Sequence, residues 1–255
     1  MTIHVRLDRR QFARRSLQLA ALCLLAGCNR LSRSPWVTAV LDSAEGLTRR
    51  IQRALRPRGS MAREFTEADR SPVFPGNGTT NPEDADYQAL AASGFAAWRL
   101  EVDGLVARPA RLSLEDLRRL PSRTQITRHD CVEGWSAIAK WTGVPLRTLL
   151  EQVGVGPRAR YVVFHCADSI DGSRYYESID FDDALHPQTI LAYEINDRPL
   201  PVEYGAPLRL RVERQLGYKM AKYVMRIELV ETFAAIGGGK GGYWEDRGYE
   251  WYAGI

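Results

Sequence analysis

One cysteine and its surroundings limit most what this chain can become: Arg128-His129-Asp130-Cys131-Val132-Glu133-Gly134-Trp135-Ser136. The β-prone run Thr124-Gln125-Ile126-Thr127 leads straight into it, and Gly134-Trp135 reads as the turn that leaves it. A thiolate is a soft ligand, and a lone one leaves the rest of a metal's coordination to a cofactor. An isolated cysteine is otherwise a buried structural residue, and the local residues leave both readings open. A zinc reading would recruit His129, Cys131, His165 and Cys166. Neighbouring strand residues point to opposite faces, so the adjacent His165-Cys166 pair suits one tetrahedral site poorly.

The N-terminus reads as an address. Asp8-Arg9-Arg10-Gln11-Phe12 resembles a twin-arginine export signal, and the apolar run from Leu17 to Gly27 is too short to span a bilayer of about 30 Å. Leu25-Ala26-Gly27-Cys28 resembles a lipobox, which makes Cys28 the lipidated first residue of the mature protein. Residues 1–28 are thus expected to be a signal peptide. Residues 29–70 are expected to be a basic tether or arm, with a short amphipathic helix from Leu41 to Leu55. Residues 1–63 hold 13 arginines, no lysine and 3 acids, a net +10, and the remainder is −6, so the overall +4 hides an asymmetry. A basic arm favours an anionic membrane surface after export. Nucleic acid is excluded as a partner, because an exported protein rarely meets it.

Roughly 190 residues remain, enough for one domain with a real core. Trp98 to Val106 alternates up to an Asp103-Gly104 turn, as a hairpin strand does. Ser113 caps a short helix with Asp116 three residues on, and Pro121 follows its last turn. Pro145 opens a second helix whose buried face is Leu146, Leu149, Leu150 and Val153, and Gly154 ends it. Tyr161–Cys166, Tyr175–Ile179, Thr189–Asn196, Leu208–Glu213 and Val224–Val230 read as strands. The fold class is α+β, mostly β with short helices. The domain is placed at 71–236, followed by a Gly/aromatic-rich tail at 237–255. That tail reads either as a segment packing back on the domain or as a docking surface for an electron-transfer partner.

Over about residues 74–233 the wording resembles the sulfite-oxidase-fold molybdoenzymes, and within them the stand-alone bacterial branch of methionine-sulfoxide reductase catalytic subunits. Three stretches carry this: the Cys131 loop, Gly205-Ala206-Pro207-Leu208-Arg209, and Gly217-Tyr218-Lys219-Met220-Ala221-Lys222. The resemblance implies a sulfite-oxidase-type molybdopterin-binding fold, with molybdenum and molybdopterin as cofactors and Cys131 as the metal ligand. It implies pterin or phosphate contacts at Arg209 and Lys222, with Lys219, Met220 and Ala221 between them. It also implies pterin contacts at Asn77 in the Phe74–Pro82 loop and at Cys166. A guanidinium or ammonium suits a phosphate. His129 and Asp130 are expected to flank the reacting centre. The relatives' arginine before the cysteine is Asp130 here, so an anionic substrate such as sulfite is disfavoured and a neutral S-oxide or N-oxide favoured. The sequence has no haem-attachment Cys-x-x-Cys-His, so electrons are expected from a separate membrane cytochrome b-type partner. Export and lipidation would make the protein a periplasmic, membrane-anchored lipoprotein. Sulfite-type oxidation, a zinc protein and a cofactor-free lipoprotein are the alternatives.

Overall fold

The computed structural model describes residues 34–56 and 59–255. The twin-arginine stretch and Cys28 lie outside the described residues. The chain divides into two compact units, Met1–Ile51 and Gln52–Ile255, and the site lies in the second. Helix α1 (Pro35–Leu55) starts six residues before the amphipathic pattern, because proline at a first helical position has its φ already set and no amide to satisfy. No described helix is long and apolar enough to cross a membrane.

Two five-stranded sheets make the domain. The first has the order β2-β1-β10-β5-β6, with β1 (Leu100–Gly104), β2 (Ala110–Leu112), β5 (Tyr161–Ile170), β6 (Ser173–Asp180) and β10 (Val224–Val230). Among the described residues only β1 and β10 of this sheet pair in parallel. The second runs β3 (Arg123–Asp130), β4 (Ser136–Pro145), β7 (Ile190–Ile195), β8 (Arg198–Pro199), with β9 (Arg209–Arg211) also on β7. Short helices join them: α2 (Ala85–Ala92), α3 (Leu114–Arg119), α4 (Leu146–Val153) and α5 (Phe181–Ala184). The α+β, mostly-β expectation matches this architecture.

Local chemistry explains most of the elements. Ser113 and Asp116 form a full reciprocal capping box on α3. Helix α4 buries Leu146, Leu149, Leu150 and Val153 against Leu100, Val162, Phe164 and Leu229 of the first sheet, each worth about 1.5–3 kcal/mol of gross burial. Pro145 ends β4 and stands at the helix N-cap, one position before its expected place. Asn196 and Asp197, both at positive φ, turn β7 into β8. Asp103-Gly104, by contrast, is not a two-residue turn. Gly104 stays in register with Leu229, and a Cβ there would lie 2.4 Å from the Leu229 carbonyl oxygen, so the glycine answers to β10. The stretch up to residue 71 is stitched to the second sheet, through Phe65 N–H to the Ile126 carbonyl and Ser71 N–H to that of Ile138, each 2.9 Å.

Candidate active site

Strands β3 and β4 pair from Arg123↔Gly143 to Asp130↔Ser136, and Cys131 heads the loop between them. Its N–H donates to the Trp135 carbonyl (2.9 Å), and its own carbonyl accepts from Gly134 N–H (3.0 Å), with Gly134 at φ +90°. Along β3, Gln125, Thr127 and His129 face inward and Arg128 and Asp130 outward. Period two therefore places Cys131 inward.

The cysteine opens onto a cavity of about 710 Å³, counted with its solvent mouth. Asn77, Glu133, Arg209 and Lys222 line it with Cys131. Asn77 Nδ2 points its amide at Cys131 Sγ from 3.7 Å. Burial raises the thiol above its ordinary range, while the Glu133 backbone N–H and the Asn77 amide favour the thiolate. The Glu133 carboxylate accepts from Trp135 Nε1 at 3.0 Å.

Arg209, which also lines the cavity, is buried and donates to the carbonyls of Tyr204 (3.0 Å) and Met220 (3.5 Å), while its Nε is buried without a partner. No carboxylate lies within ion-pair range of it among the described residues. Burial and the nearby Arg211 push its pKa below the usual arginine range. Both guanidiniums lie against Trp141, at 5.0 and 4.4 Å. Arg211 differs because Glu213 takes it in a fork at 2.9 and 2.7 Å.

Lys222 Nζ donates to three main-chain carbonyls, those of Asn77 (2.7 Å), Thr79 and Glu203 (3.3 Å). Tyr223 OH also donates to the Thr79 carbonyl, at 2.8 Å. Lysine and tyrosine thus clasp the 77–79 loop across the cavity. The Asp168 carboxyl shares this wall, with Oδ1 buried and unpartnered. Burial drives Asp168 up to about 6, and burial with Arg209 drives Lys222 down to about 7. Between pH 3.8 and about 6 the folded apoprotein holds a proton on Asp168 that the unfolded chain has lost, so stability falls as pH rises. Between about 7 and 10.5 the unfolded chain holds a proton on Lys222 that the folded one has lost, so stability rises. The pair contributes a stability minimum near pH 6–7. Urea titrations of the apoprotein from pH 4 to 10 check this. The wild-type-minus-Lys222→Met difference should climb above pH 7 by at most about 1.4 kcal/mol per unit, less solvent screening. A flat difference would refute it.

Several sequence expectations land elsewhere. Asp130 faces away from the cavity, paired with Arg128 (2.8 Å) and accepting from Ser136 Oγ (2.5 Å), because strand alternation sends it opposite to Cys131. Glu133 is the anion beside the cysteine instead. His129 is buried behind Gly217, whose Cβ, if present, would lie 2.3 Å from its Nε2. Its Nδ1 accepts from Arg211 Nη1 at 2.9 Å, which assigns the proton to Nε2, and burial plus Arg211 hold the ring neutral. Lys219 is enclosed by Glu177 and Glu245, away from the cavity. Ala221 serves β9, its carbonyl accepting from Leu210 N–H at 2.8 Å. Cys166 lines a neighbouring cavity with His165 and Tyr176. Cys131 and Cys166 are both unbridged thiols. Met220 does line the cavity. Among the described residues, no three His, Cys, Asp or Glu side chains gather as a metal site, so the four proposed zinc ligands do not converge. Glu133 was legible in principle, two residues after Cys131 in the same loop. No local pattern marks Asp168, or the tail residues Trp244 and Tyr249, which also line the cavity.

A buried thiol and a buried cation with no carboxylate partner, lining one cavity, suit a group that offers a metal at one point and a phosphate at another. The family model described as the oxidoreductase molybdopterin binding domain matches residues 88–235, and the chain belongs to that family. It is an oxidoreductase that binds molybdopterin and molybdenum. A protein of Azospira oryzae provisionally named protein-methionine-sulfoxide reductase subunit YedZ1 is 39% identical over 96% of this chain and 87% of that protein. The protein-methionine-sulfoxide reductase catalytic subunit MsrP of Gluconobacter oxydans is 38% identical over 52% of this chain. MsrP of Xanthomonas campestris is 38% identical over 54% of it. The matches span about half of those two relatives, 47% and 46%. Among solved structures, the sulfane dehydrogenase SoxCD of Paracoccus pantotrophus is 27% identical with a TM-score of 0.48, over 53% of this chain and 38% of that one.

Proposed function

We propose that this protein reduces a neutral S-oxide at a molybdenum held by Cys131, with N-oxides as the nearest alternative substrates. The observation that carries this is the cavity itself, lined by a thiol, by a buried arginine without a carboxylate partner, and by a carboxylate beside the thiol. The methionine-sulfoxide reductase names of the relatives point to the same substrate class. When bound, molybdopterin supplies the oxygen-atom and electron exchange. The chain's residues do the rest. Cys131 offers its thiolate, and the Asn77 amide steadies that sulfur. Arg209 takes the anionic end of the cofactor. Lys222 adds positive potential there while two of its donors hold the 77–79 loop in place and the third holds the Glu203 carbonyl. Met220 lines the cavity with them, and Gly217 lets His129 pack close behind.

Glu133 sets substrate polarity. Two unit charges about 6 Å apart interact by roughly 3 kcal/mol at an effective dielectric of about 20. Half of that, after screening, is about a tenfold preference. A neutral sulfoxide escapes this repulsion and sulfite does not. The test uses protein from a host that makes molybdopterin, analysed for molybdenum. It is then assayed for sulfoxide reduction with a reduced viologen donor and for sulfite oxidation. Wild type should favour the sulfoxide, and Glu133→Gln should shift the kcat/KM ratio about tenfold toward sulfite. Molybdenum-loaded protein that oxidises sulfite and leaves sulfoxides untouched would overturn the reading.

The setting belongs to the same proposal. Arg9-Arg10 would direct export of protein already folded around its cofactor. Cys28, lipidated, would tether it at the periplasmic face of a membrane, where a cytochrome b-type partner supplies electrons. These assignments rest on the sequence.

A further inference from the structure

The family match stops at residue 235, but the cavity does not. Trp244 and Tyr249 line it together with Cys131 and Glu133. Their rings stack on each other (centroids 5.2 Å apart, planes at 27°), and Tyr249 meets Tyr218 edge-on at 5.2 Å and 85°. Three aromatic rings from two separate stretches therefore share one side of the pocket.

The tail that brings two of them is firmly fixed. Glu245, beside Trp244, reaches into the core, where Lys219 sits between it and Glu177 of β6, all three side chains almost fully buried. Gly242 makes room, since a Cβ there would lie 2.0 Å from Glu245 Oε2. Tyr218 OH donates to the Glu250 carbonyl (2.7 Å), and Trp251 Nε1 donates to Ser178 Oγ (2.9 Å). Leu216 N–H donates to the Ala253 carbonyl at 2.9 Å. A buried lysine–dicarboxylate cluster is a weak source of net stability, because desolvation offsets its Coulomb gain. What it does supply is one defined position for the segment around it. Lys219, expected at the cofactor, acts here as the tail's anchor.

We infer that the tail is the substrate-recognition wall of this enzyme. Trp244 and Tyr249, with Tyr218, receive the apolar or aryl arm of a neutral sulfoxide whose oxygen-bearing sulfur faces Cys131. Sulfur and aryl groups make favourable contacts with aromatic rings, and no charge on the arm is needed. Glu133 beside this wall disfavours an anionic arm. The inference rests on the sulfoxide reading above and names what that reading leaves open, the part of the substrate that is gripped.

The test is calorimetric binding to molybdenum-loaded protein of methyl phenyl sulfoxide and of dimethyl sulfoxide, which lacks an arm. Wild type should bind the aryl compound about tenfold more tightly, the worth of one good aromatic pair. Tyr249→Ala, at a position 38% exposed and so tolerant of truncation, should erase most of that preference. Trp244→Leu should do the same and Trp244→Phe should keep it. Unfolding midpoints and molybdenum content are measured on each variant. An aryl preference that survives both truncations overturns the inference. So does loss of molybdenum from the variants, which would make the wall part of the cofactor site. Should Trp244→Leu fail to fold, Tyr249→Ala and Trp244→Phe still decide. Wild type that grips the aryl sulfoxide and does not reduce it supports the wall and overturns sulfoxide reduction. Wild type that reduces dimethyl sulfoxide with no aryl preference does the reverse.

Discussion

Cys131→Ser should lower turnover by more than about 100-fold and change the Mo(V) EPR signal. Mutations one shell out from a metal typically cost 10–100-fold, so loss of the ligand itself sets a higher floor. The serine hydroxyl stays protonated at neutral pH where a thiol yields a thiolate. Sterically the change is small, so the unfolding midpoint should hold. Those three readouts separate a ligand from a packing cysteine. An unchanged Mo(V) spectrum would remove Cys131 from the coordination sphere and leave the cavity without its metal end.

Arg209→Met should have the next largest effect, on cofactor retention. Truncating one partner of a buried, hydrogen-bonded charge pair costs about 2–5 kcal/mol, roughly 30- to several-thousand-fold in affinity. Molybdenum and pterin per protein after dialysis give the measurement. Arg209→Lys should recover only part of the loss, since an ammonium lacks the planar fork. The apoprotein should respond in the opposite direction. There Arg209 is a buried cation without a carboxylate, so Arg209→Met should leave the apo form as stable or make it more so. Wild-type retention in Arg209→Met would limit the residue to packing on Trp141.

Much of the fold could be read from the chain because its signals are local. The Ser113 cap, the buried stripe of α4 and the alternation of β10 each follow from a few adjacent residues. The Cys131 loop was legible for the same reason. Arg209 and Arg211 illustrate the limit. Alternation put both on one face of a strand, but whether that face meets water depends on Trp141, far away in sequence. Asp130 shows a sharper limit. Its place before the cysteine, where the relatives carry an arginine, suggested a role at the pocket, yet period two along β3 sends it away from Cys131, and Glu133, in the turn after the cysteine, lines the cavity instead. Lys219 stood inside a recognisable motif, and only the tail's return to the core through Glu245 reveals its partner. Trp244 and Tyr249 had no pattern to announce them, because an aromatic-rich tail looks alike whether it packs, docks or lines a pocket.

The way Lys222 grips the 77–79 loop bears on how this family can diversify. The lysine binds carbonyl oxygens at Asn77, Thr79 and Glu203, and Tyr223 binds Thr79 in the same manner. Any residue type supplies a carbonyl, so the grip is indifferent to which side chains the loop carries. Mutation can therefore rewrite the loop's lettering without releasing it from the lysine and the tyrosine. Such a loop is a place where new side chains can be tried beside the metal ligand at little structural risk. Divergence in substrate among such proteins would then accumulate there, while the lysine beneath it stays fixed.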